Sequence, residues 1–181
     1  MLNLQKEDRL LIFAVHPDDE TLATGGLIQQ AFAAGAEVRV VFVTDGDNNP
    51  WPQRYIERRW RIDHTDRARW GQIRRQEALA ALATLGLHPQ NASFLGFPDQ
   101  GLTALLTTDA KLIISRLIAE ITDWQPSVLV GSALQDHHPD HNALAVLVDL
   151  ALEQLPNQGK RPLLLTYLVH GQGLLRLSLM R

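Results

Sequence analysis

The sequence predicts an α/β domain in which a mostly parallel sheet of about five strands is flanked by helices. Three features carry that expectation. The run Leu10-Leu11-Ile12-Phe13-Ala14-Val15 is apolar without alternation, which marks a strand buried on both faces, as parallel sheets require. Strand-like runs then alternate along the chain with stretches of helical period, the order that βαβ units produce. At 181 residues, 45% hydrophobic and 20% charged, the chain suits one domain with a sizeable core.

The first strand is followed by a helix from Thr21 to Ala34, which Gly35 closes at its C′ position. Val38 to Val43, β-branched and apolar, is the second strand. The turn-rich stretch Thr44 to Pro50 opens a long connection that lasts to about Thr65, and connections of that length are usually functional or mobile. Helix returns from roughly Asp66 to Leu85, with Ile73, Leu79 and Leu82 on one face and Gly86 as its stop. Ser93 to Phe97 is a short third strand. A helix begins near Thr108, its expected N-cap, and carries the stripe Ile113, Leu117, Ile121 and Trp124. Val128 to Val130 forms the fourth strand. The last helix buries Leu144, Val148, Ala151 and Leu155 and ends at Pro156 and Gly159, and Leu163 to Val169 is the fifth strand. With no internal repeat or linker, the whole chain reads as a single Rossmann-like domain.

Composition narrows the function. No apolar stretch approaches the roughly 20 residues that span a bilayer. Residues Met1 to Asp8 are too polar for a signal peptide. The absence of cysteine excludes disulfides and thiolate ligands, so any metal must be held by nitrogen and oxygen, and a cytoplasmic location is expected. A net charge of −3 argues against a general nucleic-acid binder. Eight of the 17 basic residues nevertheless fall between Trp51 and Arg75: Arg54, Arg58, Arg59, Arg61, Arg67, Arg69, Arg74 and Arg75. They form either a solvated helix face, aided by Glu57 and Arg61 at i,i+4, or a flap that meets an anionic substrate or a membrane surface.

Two clusters carry the chemistry. His16-Pro17-Asp18-Asp19 leaves the first strand, and Asp136-His137-His138-Pro139-Asp140-His141 follows the fourth. Open α/β sheets place ligands at the carboxyl edge of their strands, so both clusters are expected at one edge. A catalytic zinc takes about three protein ligands and keeps a position for water. His16 and Asp19, three residues apart, can reach one ion, and His141 can supply the third ligand. Asp18, pointing elsewhere, can take a proton from water as general base, and His138 can face a developing oxyanion or protonate a leaving group. Each residue also has a plainer use. Asp18 or Asp19 can cap the following helix, and Glu20 suits a first-turn dipole partner. His64, His88 and His170 lack ligand spacing and read as surface or loop residues.

Ala14-Val15-His16-Pro17-Asp18-Asp19-Glu20 together with His138-Pro139-Asp140-His141 resembles the LmbE/PIG-L family of metal-dependent N-deacetylases. Thr44-Asp45-Gly46, Arg74-Arg75-Gln76-Glu77 and Leu95-Gly96-Phe97-Pro98-Asp99 resemble further motifs of that family, in consistent order up to about Leu155. The resemblance implies a Rossmann-like fold and hydrolysis of the N-acetyl group of an amino sugar, usually a glucosamine unit, in a small molecule or glycolipid. It implies one Zn²⁺ held by His16, Asp19 and His141, with Asp18 as base and His138 stabilising or protonating the intermediate. Arg74 and Asp99 would contact the sugar. Arg74 can otherwise pair with Glu77 or Asp66, and Asp99 can be a turn residue beside Pro98.

Two departures stand out. Some relatives carry a Tyr two residues before the His-Pro-Asp-His motif, where this chain has Asp136. Relatives also continue beyond a segment like Tyr167-Leu168-Val169-His170 into a Trp-Pro-containing stretch, so the C-terminus reads as shortened, whether natural, truncated or frame-shifted. Asp136-His137-His138 also suggests a two-metal phosphoesterase, and two His with one carboxylate describe the iron triad of oxygenases built on all-β sheets. A non-catalytic metal- or sugar-binding relative is the third alternative.

Overall fold

Strand β1, Arg9–Ala14, lies at the centre of the sheet and is buried on both faces from Leu10 onward. The computed structural model describes residues 2–156, 161–171 and 178–179. After β1 come α1 (Asp19–Leu22), α2 (Gly25–Ala34), β2 (Glu37–Thr44), α3 (Pro50–Ile56), α4 (His64–Thr84) and β3 (Ala92–Phe97). The chain continues through α5 (Leu102–Thr108), α6 (Ala110–Trp124), β4 (Val128–Ser132), α7 (Pro139–Gln154), β5 (Leu163–Tyr167) and β6 (Ser178–Leu179). The sheet order is β3-β2-β1-β4-β5-β6; its first five strands run parallel, and the two-residue β6 pairs antiparallel with β5.

Alternate residues of the strands feed two cores. Leu10, Ile12, Val40 and Phe42 pack with Leu27, Ile28, Ala78 and Leu82 of α2 and α4. Leu11, Phe13, Val41 and Val43 pack on the other face with residues of α5, α6 and α7. The chain runs outward from β1 to β3 and then crosses back to β4 on the other side of β1. The reversal opens a crevice at the carboxyl ends of β1 and β4, the place where open sheets bind ligands.

Several elements differ from the expectation, each for a local reason. The helix expected from Thr21 is broken into α1 and α2 because the Thr24 hydroxyl donates to the Glu20 carbonyl at 2.7 Å, and such back-bonding bends a helix. The long connection holds α3, which Asn49 caps by accepting from the Trp51 N–H and which has proline in its first turn. Helix α4 starts earlier than expected, at a reciprocal capping box between Asp63 and Asp66. Its buried line runs through Trp70, Gly71, Ala78 and Leu82, while Ile73 and Leu79 are only half-buried. Gly71 sets this line, since a Cβ there would lie 3.2 Å from the Cβ atoms of Asp45 and Asp47. Thr108 ends the unexpected α5 rather than capping α6. Strand β5 stops at Tyr167, because the N–H groups of Val169 and His170 leave the ladder to donate to Asp136. Helix α7 ends before Pro156 as expected, and the expected stop at Gly159 lies outside the described residues. Among the described residues, no helix is long and apolar enough to cross a membrane.

Tyr167 ties β5 to β1 across the end of β4. Its fully buried hydroxyl donates to the Phe13 carbonyl at 3.0 Å and accepts from the Val15 N–H at 3.4 Å. Replacing Tyr167 by Phe strands both groups, and a buried unmade hydrogen bond costs about 1–2 kcal/mol. The Tyr167→Phe variant is therefore expected to lose about that much unfolding free energy and to unfold at a lower urea concentration, and an unchanged midpoint would refute the strap.

Candidate active site

The turn after β1 is set by its own side chains. The Asp19 carboxylate accepts from the His16 N–H at 2.9 Å, and the Glu20 carboxylate accepts from the Asp18 N–H at 2.9 Å. This places Asp18 at a φ of 128°, a strained value for a residue with a Cβ, and leaves its side chain half exposed at the mouth of a cleft. Glu20 is thus buried and structural, as the dipole-partner reading anticipated in kind though not in partner. Gly46, at the end of β2, has φ 62°, and a Cβ there would press on the Pro17 ring at 3.2 Å. Only glycine lets the two turns lie this close.

The second cluster enters along α7. His138 is its N-cap and accepts from the Asp140 N–H at 3.3 Å through Nδ1, while Pro139 occupies the first turn. His141 follows one turn later and is fully buried. Its Nε2 lies 3.3 Å from Asp19 Oδ2, whose distance to His16 Nδ1 is 3.6 Å. The ring centroids of His16 and His141 are 5.3 Å apart, and His138 stands edge-on to both, at 4.9 and 5.4 Å. The structure thus brings His16, Asp19 and His141 together from two strand ends, with Asp18 and His138 on the cleft wall.

Two further carboxylates close on His16. Asp99, after β3, stands 3.2 Å from its Nε2 and also accepts from the Asn48 N–H at 2.8 Å. Asp140 lies 3.8 Å from the same nitrogen, and its other oxygen accepts from the Leu102 N–H at 3.1 Å. Burial alone would depress the His16 pKa, but Asp140, Asp19 and Asp99 raise it to about 11. Burial likewise works to raise Asp19, and the two histidines overcome it and hold the carboxyl well below its ordinary range. Burial and the charges of His16 and His141 push His138 down.

Arg74, from α4, bonds Asp18 at 2.7 Å, Glu77 at 2.9 Å and the Pro17 carbonyl. Burial and Asp19 raise the Asp18 pKa, while Arg74 and His16 oppose the rise. The expected Glu77 pairing is present, but it coexists with a bond to the residue expected to be the base. Elsewhere in the arginine-rich segment Glu57 pairs with Arg69 rather than Arg61, Arg59 with Asp66, and Arg75 with Asp45 at 2.7 and 2.8 Å.

The sequence put Asp136 in the second cluster without a deacetylase role of its own, and put His170 outside the site. The Asp136 carboxylate is buried and accepts from three main-chain N–H groups: His138 at 3.0 Å, Val169 at 2.8 Å and His170 at 3.0 Å. It also stands 3.3 Å from His141 Nδ1 and 3.1 Å from His170 Nδ1. Burial works to raise its pKa, and the N–H groups bring it below the ordinary value. His170, expected to be a surface or loop residue, is half exposed but lines the cleft, with its ring 4.9 Å from that of His141. His64 and His88 are exposed as expected.

The cleft has a volume of 430 Å³ and is walled by His16, Asp18, Asp19, Arg74, Asp99 and His138 among others. Its donor chemistry fits a divalent cation. Both ring nitrogens of His141, His16 Nε2 and Asp140 Oδ2 are buried without a hydrogen-bond partner, a costly arrangement that a cation bound by one nitrogen of each ring relieves in part. Ligand atoms of His16, His138 and His141 fall within 4.8 Å of one another, as do those of Asp136, His141 and His170, and of His16, Asp99 and Asp140.

Comparison with known proteins bears on this geometry. The family model described as GlcNAc-PI de-N-acetylase (PIG-L) matches residues 11–152. The chain is 32% identical over 168 residues to the 1D-myo-inositol 2-acetamido-2-deoxy-alpha-D-glucopyranoside deacetylase of Mycolicibacterium smegmatis, covering 86% of this chain and 57% of that one. It therefore spans little more than half the length of that relative. The fold is shared with the N,N'-diacetylchitobiose deacetylase of Pyrococcus horikoshii at a TM-score of 0.68 and 20% identity, over 88% of this chain and 60% of that one. It is also shared with a 4-carboxy-2-hydroxymuconate hydratase of Pseudomonas putida at a TM-score of 0.66 and 20% identity, over 88% and 65% of the two chains. At such identity the two structures show the fold alone, and a hydratase among them means that the fold does not choose the reaction.

The Asp136 junction yields a direct test. Asp136→Ala leaves three main-chain N–H groups without their charged acceptor and is expected to lower the unfolding free energy by about 2–3 kcal/mol in urea. Asp136→Asn, which keeps an accepting oxygen, should recover part of the loss; equal stability of Ala and wild type would show the junction to be dispensable.

Proposed function

The chain belongs to the PIG-L de-N-acetylase family, and on that premise we propose that it hydrolyses the N-acetyl amide of an acetylated amino sugar with one zinc ion as cofactor. The observation that carries the reading is the meeting of His16, Asp19 and His141 around Asp19 Oδ2, beside an open cleft that Asp18 and His138 flank. Two imidazoles and a carboxylate are a donor set that suits zinc. Bound there, the ion would polarise the acetyl carbonyl and lower the pKa of the attacking water.

The protein's own groups do the rest. Asp18 accepts a proton from water as it attacks, and the 2.7 Å bond from Arg74 favours the carboxylate that this step needs. The tautomer of His138 follows from its environment: Nδ1 accepts the Asp140 N–H, so the ring proton sits on Nε2. That N–H is the donor we assign to the oxyanion, and a ring kept neutral by its depressed pKa suits a hydrogen bond better than a proton transfer. The proton collected by Asp18 then passes to the departing nitrogen, so acetate and a free amine leave together. Asp136 stands 3.3 Å behind His141 Nδ1, on the side away from Asp19, where a carboxylate orients a metal-binding imidazole once Nδ1 carries its proton. Arg74 and Asp99 are the proposed sugar contacts on the cleft wall, and a sugar hydroxyl would share the Arg74 guanidinium with Asp18.

The phosphoesterase alternative is less well supported, because it needs a carboxylate free to bridge two ions, and both oxygens of Asp136 are engaged. The test is acetate release from a panel of N-acetylglucosamine conjugates with zinc present. Asp18→Asn is expected to keep zinc and lose about 10²–10⁴-fold in turnover. Full activity in Asp18→Asn would reassign the base, and no acetate from any conjugate with zinc bound would favour a non-catalytic relative.

A further inference from the structure

Helix α3 presents two faces to two different clefts. Pro52 and Ile56, four residues apart, line the active-site cleft together with Asn49. On the opposite side Trp51, Arg54, Tyr55 and Arg58 line a second cleft of 280 Å³, which Trp60 closes. Trp51, Tyr55 and Trp60 are 57%, 76% and 76% exposed, so they contribute little to any core. The rings of Trp51 and Tyr55 lie 6.3 Å apart at 28°, and the Arg54 guanidinium stands 5.1 Å from the Trp51 centroid. Arg58 adopts a φ of 56°, a left-handed value that non-glycine residues rarely take.

Arg54 and Arg58 differ from the four arginines of this segment that face carboxylates, and unlike Arg61 and Arg67 they line the cleft. Arg59, Arg69, Arg74 and Arg75 are neutralised by Asp66, Glu57, Asp18 with Glu77, and Asp45. Among the described residues, no carboxylate pairs with Arg54 or Arg58, and Arg54 Nε is buried without a hydrogen-bond partner. A cleft with two guanidinium groups that no carboxylate meets, one of them over Trp51, and with exposed aromatic rings beside them suits a ring that carries an anion. The aromatics take the ring, and the guanidinium fork takes the carboxylate or phosphate. A neutral ring leaves the charges unmet. The concave form of the site and its size also suit a single ring better than the flat surface of a bilayer.

Resting on the deacetylase reading, we propose that the second cleft is a subsite for an acidic sugar adjacent to the acetylated one, so that the substrate is an acidic glycan chain. A helix with its side chains is about 10–12 Å across, which places the anionic unit one or two sugars from the reacting amide rather than on it.

The test compares two soluble chains of equal length, an alternating glucuronate–N-acetylglucosamine tetrasaccharide and a neutral N-acetylglucosamine tetramer, with methyl N-acetylglucosaminide as the single-sugar control. Wild type is expected to show a KM at least tenfold lower for the acidic chain. In the Arg54→Ala, Arg58→Ala double variant that advantage should vanish, with kcat unchanged. Trp51→Ala should raise KM for both tetramers while sparing the single sugar. Equal KM values for the two tetramers in wild type, or a double variant that keeps the acidic preference, would overturn the proposal. So would loss of binding to anionic phospholipid vesicles in the double variant with no glycan preference in wild type. If no substrate releases acetate, the deacetylase reading fails separately. Tryptophan fluorescence titration with the two tetramers then still tests the subsite, and it must show the acidic chain binding more tightly to wild type but not to the double variant.

Discussion

Four carboxylates, those of Asp19, Asp99, Asp136 and Asp140, are buried around the imidazoles of His16 and His141, and this concentration of negative charge is what the surrounding structure must answer. Each buried ion costs several kcal/mol unless it finds donors or a counter-charge. Asp136 draws three N–H groups, Asp140 takes the first N–H of α5, Asp99 takes Asn48, and Asp19 takes His16. The charge that remains unanswered falls between the two rings, where nitrogens without hydrogen bonds face carboxylates. A proton on His16 answers it in part, which is why that pKa rises so far, and a divalent ion answers it more fully.

The scaffold exists to hold that charge in one place. Parallel pairing of β1 with β2 and β4 sends three strand ends to the same edge, and the crossover from β3 to β4 leaves the crevice between them. Tyr167 locks the exit of β1, Gly46 lets the turn after β2 lie against Pro17, and Gly71 lets α4 lie close enough for Arg74 to reach Asp18. Asp136 links the loop after β4 to the segment after β5. A single buried carboxylate therefore serves fold and site together.

The parallel sheet was legible in the sequence because its central strands are buried on both faces and show it in unbroken apolar runs, as at Leu10 to Ala14. The meeting of His16, Asp19 and His141 at one edge was legible because their clusters follow two such runs. What escaped was whatever depends on contacts distant in sequence. Nothing in the surroundings of His170 tells that Asp136, 34 residues earlier, draws it into the cleft. The pairing of Arg74 with Asp18 spans 56 residues and carries no local signal either. Short helices escaped too: α3 and α5 are each seven residues long, too short for periodicity to declare itself. The break between α1 and α2 rests on one hydroxyl, that of Thr24, turning back on its own helix.

The most direct measurement is a crystal structure grown with zinc and read by anomalous scattering at the zinc edge. One ion is expected, bound by His16, Asp19 and His141 at about 2.0–2.2 Å with a position left open toward the cleft. An ion seated instead among Asp136, His141 and His170 or among His16, Asp99 and Asp140, or a second ion bridged to the first, would contradict it.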